Sequence, residues 1–408
     1  MWLGSNSKDL KVNNRLLVRD MIRKRGPIAR YEIARETGLT PSTVSVIVAE
    51  LLENNVIKEV GHGESSGGRR PILLELNPTA AYVLAVRIQR GEAVIAIFDL
   101  NQEILGERYC QFNTDLPEQV VEAVGQSFEE LVSELKISPQ KVLWCGVASP
   151  GLVSSHTGVV ERSSNLGWID IPLSTMLTER LGGIPVNVEN ISNAAALAEK
   201  EYGLARGRDH VVFINLSVGI GAGIVAGGDI YGGLKGFAGE IGHVHVLDDG
   251  PLCTCGQRGC FEAVCGLRAI LEKAKAVIPD ETLQVCGKTR DNLTLNDLIT
   301  KPLADSPEVQ GLISETGRTI GMVISNLVNL LNPELVVLGG ELSRLGQPLC
   351  DAVRAEVYGR TLEEIQSNLS IEISDIKGSA PLMGAYVLAL EQIFALEEWG
   401  FHKSLRNP

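Results

Sequence analysis

The feature that most narrows what this chain can fold into is a short stretch late in it. His243, Cys253, Cys255 and Cys260 offer one imidazole and three thiols within eighteen positions. That is the donor set and the number for a closed tetrahedral zinc site. Gly256 and Gly259, between the last ligands, allow the tight turns that aim sulfurs inward. Four protein ligands leave no open position for water, which points to a structural rather than a catalytic metal. The alternative is a loop of free thiols. Cys265 and His245 lie close by, but Cys265 falls on the following helical pattern and four nearer ligands already complete the set. The other cysteines, Cys110, Cys145, Cys286 and Cys350, are isolated and read as buried thiols of a reducing compartment.

A chain of 408 residues suggests two to three domains at roughly 150 residues each. With 44% hydrophobic and 21% charged residues it has ample material for real cores, which excludes intrinsic disorder. Its 43 glycines follow no period, which excludes collagen-like and repeat architectures. No apolar run approaches the ~20 residues needed to span a bilayer, and residues 1–10 do not read as a signal peptide. A cytoplasmic protein is expected.

The net charge of -13 is unevenly spread. Residues 1–78 hold 12 Lys and Arg against 9 Asp and Glu, whereas the remainder holds 25 against 41. A mildly basic head on an acidic body suits a polyanion-binding module joined to something else, although chance asymmetry gives the same numbers.

The head has helical punctuation. Leu16, Leu17, Met21 and Ile22 are spaced for an amphipathic helix over 14–24, ended by Gly26-Pro27. A short helix over 29–37 turns Ile33 and Ala34 inward and stops at Gly38. Thr40-Pro41 then reads as an N-cap followed by proline at the first helical position, opening a third helix to about Asn55. Val44, Ile47, Val48, Leu51 and Leu52 share its inner face, and Ser42, Thr43, Ser45 and Val46 face outward. Two short helices around a glycine turn fit a helix-turn-helix whose small outward residues reach base edges in a major groove. Taken alone, the third helix is equally a capped surface helix. Strands over 56–60 and 72–76 flank a polar tip ending in Arg69-Arg70, which reads as a hairpin wing. Arginines on such a tip enter a minor groove or clamp phosphates. Together these elements predict a DNA-binding winged helix-turn-helix over 1–78, with Arg30, Ser42, Thr43, Ser45, Val46, Arg69 and Arg70 as its contact residues.

From Tyr82 the pattern changes to strands over 82–88, 93–100 and 107–112, a helix over 117–135 and a buried strand over 142–147 closed by Ser149-Pro150-Gly151. Strands over 186–188 and 211–216 flank a helix over 192–202, and a long helix over 316–331 leads into a strand over 335–338. The recurring order predicts an α/β body of two similar lobes with a cleft between them. Its expected division is 79–200 for the first lobe, with a helix over 380–397 packing back on it, and 201–379 for the second, which carries the metal site. The run Val218-Gly219-Ile220-Gly221-Ala222-Gly223 is either a phosphate-approaching loop or a place of close backbone packing.

Gly239-Glu240-Ile241-Gly242-His243 and Cys253-Thr254-Cys255-Gly256-Gln257-Arg258-Gly259-Cys260-Phe261-Glu262 resemble the signature of the ROK family of repressors, open reading frames and kinases. The resemblance covers nearly the whole chain. The head with Ser66-Gly67-Gly68-Arg69-Arg70-Pro71 resembles the repressor branch, especially the xylose-repressor group and its N-acetylglucosamine and glucose relatives. It implies an actin-like, ribonuclease H-like body of the sugar-kinase type. It also implies a sugar site formed by Ser164, Asn165, Asn190, Glu240, His243 and Glu262, with the backbone near Gly151. Carboxylate and amide groups suit vicinal hydroxyls, which they meet in pairs. His243 is placed to serve both metal and ligand. Three departures separate this chain from the family's kinases. Ile191 stands where they carry the aspartate base, Arg87-Ile88-Gln89-Arg90-Gly91 replaces their phosphate loop, and Val218 replaces a threonine facing phosphate. An isoleucine accepts no proton. The expected function is a sugar-responsive transcriptional repressor acting as a homodimer on operator DNA, with a xylose-like monosaccharide as effector and structural Zn2+. A sugar kinase with an added DNA-binding head is the alternative.

Overall fold

The computed structural model describes residues 7–63, 70–113, 116–376 and 379–401. The head opens with α1 (Ser7–Arg25), followed by β1 (Ile28–Ala29), α2 (Arg30–Thr37) and α3 (Pro41–Glu53). Each boundary has a local cause. Glu32 reaches back to accept the Ala29 N–H at the start of α2, and Gly38 closes it at φ 70°. The Thr40 side chain accepts from the Thr43 N–H, and Pro41 sits where no N–H is needed. β2 (Ile57–His62) and β3 (Ile72–Leu76) form a hairpin, and β1 adds on the far side of β3 to give the order β1-β3-β2. The two-residue β1 is too short to leave a pattern in the sequence. Ile22 is buried as expected, but Leu17, expected on the same face of α1, is 42% exposed, and Val18 and Arg19 are buried instead. The helix turns this way because it packs on α2, α3 and β3 of the head and, through Arg19, on a segment from the chain's other end.

The body is a duplicated unit. In the first lobe β4 (Tyr82–Gln89), β5 (Glu92–Phe98) and β6 (Ile104–Gln111) form an antiparallel meander. β7 (Val142–Ser149) and β11 (Val186–Asn190) extend it in parallel, in the order β11-β7-β4-β5-β6. Helices α4 (Pro117–Glu134) and α5 (Leu173–Arg180) cover one face, and a small antiparallel sheet of β8 (Leu152–Ser154), β9 (Val159–Ser163) and β10 (Trp168–Ile171) projects beside them. α6 (Ile191–Tyr202) leads into the second lobe.

The second lobe repeats the order. β12 (His210–Leu216), β13 (Ile220–Ala226) and β14 (Asp229–Ile230) are antiparallel, and β15 (Leu335–Gly339) and β16 (Ser370–Ile373) add in parallel, giving β14-β13-β12-β15-β16. Helices α7 (Phe261–Cys265), α8 (Leu267–Val277), α9 (Asp280–Val285), α10 (Leu295–Leu298), α11 (Pro307–Leu331) and α12 (Gln347–Tyr358) enclose its largest core, and α13 (Glu363–Gln366) precedes β16. α11 starts nine residues before its expected Thr316, because Ser306 caps it and Pro307 takes the first position.

The last helix, α14 (Ala380–Ala395), packs on α6, β4 and β7, so the final segment of the chain lies against the first lobe. One hydrophobic core runs from Val18, Leu51 and Val56 in the head through Phe98 and Tyr386 to Trp399 and Phe401. Head and first lobe are therefore joined by packing. Among the described residues no helix is long and apolar enough to cross a membrane.

Candidate functional site

Between the lobes lies a cleft of about 560 Å³. Its first-lobe wall is built where two parallel strands end, the place where an open α/β sheet leaves room for ligands. β7 ends in Ser149-Pro150-Gly151, and Gly151 adopts φ 106° with the Arg162 carbonyl 2.4 Å from where a Cβ would sit. Neither the dihedral nor the space admits a side chain. β11 ends in Asn190, whose Oδ1 accepts from the Ser192 N–H at 2.7 Å and whose Nδ2 donates to the Gly151 carbonyl at 2.8 Å. Asn190 thus caps α6 and ties it to the cleft floor. Ile191, the first residue of α6, lines the cleft at 9% exposure.

The second-lobe wall carries the acids. Gly239, at φ 93° and pressed on the Ala222 carbonyl, turns the chain so that Glu240 enters the cleft. Glu262, near the start of α7, accepts the Ile220 N–H at 3.0 Å. Burial, with Glu262 adding to it, pushes the Glu240 carboxyl up to about 7. Burial also raises Glu262, opposed by its bond from Ile220 and by His243. A carboxyl pair whose burial favours the protonated form on each member can offer a donor as well as acceptors, which suits adjacent hydroxyls. Ser164 and Asn165, which follow β9, complete this end.

The structure brings together all seven residues expected to contact sugar: Gly151, Ser164, Asn165, Asn190, Glu240, His243 and Glu262 line one cleft. It also places Arg87, Arg90, Arg162 and Glu341 there. In the sequence Arg87 to Gly91 stand out only as a missing phosphate loop, and Glu341 had a single signal, its position after the turn Gly339-Gly340. Of the two readings of the glycine run, close packing holds for two of its residues. Ile220–Ala226 is strand β13, and Cβ atoms on Gly221 and Gly223 would meet Ser192 of α6 at 2.6 and 2.3 Å. Close packing of sheet on helix explains those two glycines. Gly219 lies in the turn before β13 and, like Gly221, lines the cleft.

Beside the acids, His243, Cys253, Cys255 and Cys260 place their ligand atoms within 4.8 Å of one another. The Cys255 and Cys260 sulfurs are 3.7 Å apart, as are the Cys253 sulfur and His243 Nδ1. Tetrahedral zinc with its usual bond lengths requires ligand–ligand edges of ~3.6–3.8 Å, so the residues fit such an ion. His243 Nε2 lies 4.0 Å from Glu240 on the cleft side, so the two ring nitrogens face different partners. His245 stands apart, bonded to Asp248 and to the Arg258 carbonyl, and Cys265 is buried on α7.

In the head, Ser42, Ser45 and Val46 are exposed on the outer face of α3, with Val46 at 58%. Thr43 is half-buried and bonds Thr40. Arg30 is paired with Glu59 at 3.2 Å, bridging α2 to β2. Arg70 is exposed at the start of the segment leading to β3. Arg69, with Ser66, Gly67 and Gly68, lies outside the described residues.

Two sheets of the same strand order flanking a cleft, with the His/Cys cluster beside it, define the class, and residues 83–392 match the ROK family. The chain belongs to that family, and its body has the actin-like fold of the sugar-kinase type. It is 30% identical over 393 residues to a putative xylose repressor of Caldicellulosiruptor sp. (strain Rt8B.4), spanning 96% of this chain and 98% of that one. Among solved structures, a ROK family transcriptional regulator homologous to the E. coli MLC protein superposes with a TM-score of 0.80 at 26% identity, covering 98% of this chain and all of its own. A ROK family glucokinase from Streptomyces griseus, solved with glucose and AMPPNP, gives 0.67 at 26% identity over 76% of this chain and all of its own.

Proposed function

We propose that this protein is a sugar-responsive transcriptional repressor. The head is a winged helix-turn-helix with α3 as its recognition helix and β2 and β3 as its wing. α3 presents Ser42, Ser45 and Val46 to solvent while Val44, Ile47, Val48 and Leu51 hold it to the head. Small residues at the start of a capped helix let it approach base edges closely. Thr43, Arg30 and Arg70 complete the surface, and these two arginines, with Arg69 by its place in the sequence, are read as phosphate or minor-groove contacts. A homodimer in the cytoplasm would read two half-sites set by its own symmetry.

The observation that carries this reading is the shared core: the head bearing α3 is packed into the lobe whose strands end at the cleft. A monosaccharide held by Asn190, Glu240, Glu262 and their neighbours would favour one arrangement of the lobes. A difference of ~1–3 kcal/mol in its affinity for the two forms suffices to shift operator occupancy. His243, Cys253, Cys255 and Cys260 would hold a structural zinc ion, which when bound fixes the loop between Glu240 and Glu262.

Catalysis is disfavoured on chemical grounds. Ile191 lines the cleft where a kinase needs a base, and phosphoryl transfer depends on such positioned groups. ATP with a monosaccharide panel should give no sugar-dependent ADP. Selection from a random DNA pool tests the main reading: an enriched inverted repeat supports it, and no enrichment refutes it.

A further inference from the structure

The outer face of α3 is uncharged. Ser42, Ser45, Val46 and Ala49 recur at the spacing of a single helix face, and all four are exposed. Glu50, the next residue along, is turned away in an ion pair with Arg15 at 2.7 Å. The hydroxyls at the start of the helix are engaged within it. Ser45 donates to the Pro41 carbonyl at 2.8 Å. Thr40 Oγ1, which caps the helix, also meets the hydroxyls of Ser42 and Thr43 at 2.9 and 2.8 Å. With its one hydrogen committed, Ser45 can only accept. None of these short side chains can make the two-point contact by which arginine reads guanine or asparagine reads adenine.

Val46 is different. It is the one branched apolar side chain on this face, and it is 58% exposed. In the major groove a single base offers an apolar group, thymine with its C5 methyl. Contact between that methyl and an isopropyl group removes both from water, and no other base pair rewards it in the same way. We propose that Val46 determines the specificity of the head by reading the C5 methyl of one thymine in each half-site. This rests on the repressor reading and names what its recognition helix detects.

The test uses the full chain and the duplex it enriches most from a random DNA pool. Each thymine is replaced by deoxyuridine, symmetrically in both half-sites, and affinity is read by fluorescence anisotropy. Deoxyuridine pairs as thymine does and lacks only the methyl. At one position the replacement should weaken binding by about fourfold per half-site, the worth of one buried methyl, and so by about fifteenfold in the symmetric duplex. In Val46→Ala, which alters an exposed side chain and should melt with the parent, that loss should disappear. An effect of the missing methyl on DNA shape would persist in the variant, so the cycle separates contact from deformability. Deoxyuridine tolerated at every position, or an equal loss in parent and variant, would overturn the inference and leave the repressor reading standing. Failure to enrich any sequence would overturn both.

Discussion

Arg19 is a charged side chain with no exposed surface, and its replacement tests how head and body are joined. It leaves α1 to donate to the carbonyls of Phe394, Leu396 and Trp399, the last two at 3.0 and 2.6 Å. The rings of Phe394, Trp399 and Phe401 stand 5.5, 5.2 and 5.8 Å from its guanidinium carbon. Burial pulls its pKa down to about 10, so it stays charged at neutral pH. Arg19→Met keeps much of the apolar stem and removes the fork. Each hydrogen bond to a charged group contributes ~1.5–3 kcal/mol, and the loss of three is partly offset because a guanidinium no longer has to be desolvated. A net destabilisation of ~2–4 kcal/mol of the head–body junction follows. That corresponds to a fall on the order of 5–15 °C in the transition that unfolds this junction. Scanning calorimetry should show it, and Trp399 fluorescence should report the release of the terminal segment. Arg19→Lys, with the charge but not the fork, should fall between the two proteins. A variant melting within about 1 °C of the parent, as one coincident transition, would refute the reasoning.

Cys255→Ser should lose stoichiometric zinc by elemental analysis and melt earlier; full zinc content would remove Cys255 from the ligand set. Arg70→Ala should weaken operator binding and lower the salt slope by about one, and an unchanged slope would exclude a phosphate contact. Glu199, wholly buried and bonded to Ser374 and the Leu204 N–H, has its carboxyl raised by burial. A carboxyl raised in the folded state stabilises fully below its unfolded value of about 4.3 and loses that contribution as pH climbs through the folded value. Relative to Glu199→Gln, the parent should therefore lose melting temperature as pH rises from about 4 towards neutrality. A pH-independent difference would contradict this.

How much was legible in the sequence depended on the range of the interaction. Thr40-Pro41 and Gly38 mark their helix ends through bonds to residues at most four positions away, so α2 and α3 can be read directly. The His/Cys cluster is equally local. Arg19 is opaque because a charge within an amphipathic pattern reads as solvent-facing, and its acceptors lie about 375 residues further along. Gly221 and Gly223 look like a phosphate loop until α6 is placed against them. The residues of the hydroxyl-binding end came through family resemblance, and spacing alone does not assemble them. Arg90 and Arg162 carry no motif, and only the fold puts them in one cavity.

The central claim joins operator binding in the head to sugar binding in the cleft. Fluorescence anisotropy on the DNA upstream of the protein's own gene, with and without neutral and charged sugars, tests it in one experiment. The account expects tight binding to that DNA and release by one sugar at a concentration that saturates the cleft. Tight binding that no sugar alters, or no preference for that DNA over an unrelated sequence, would contradict it.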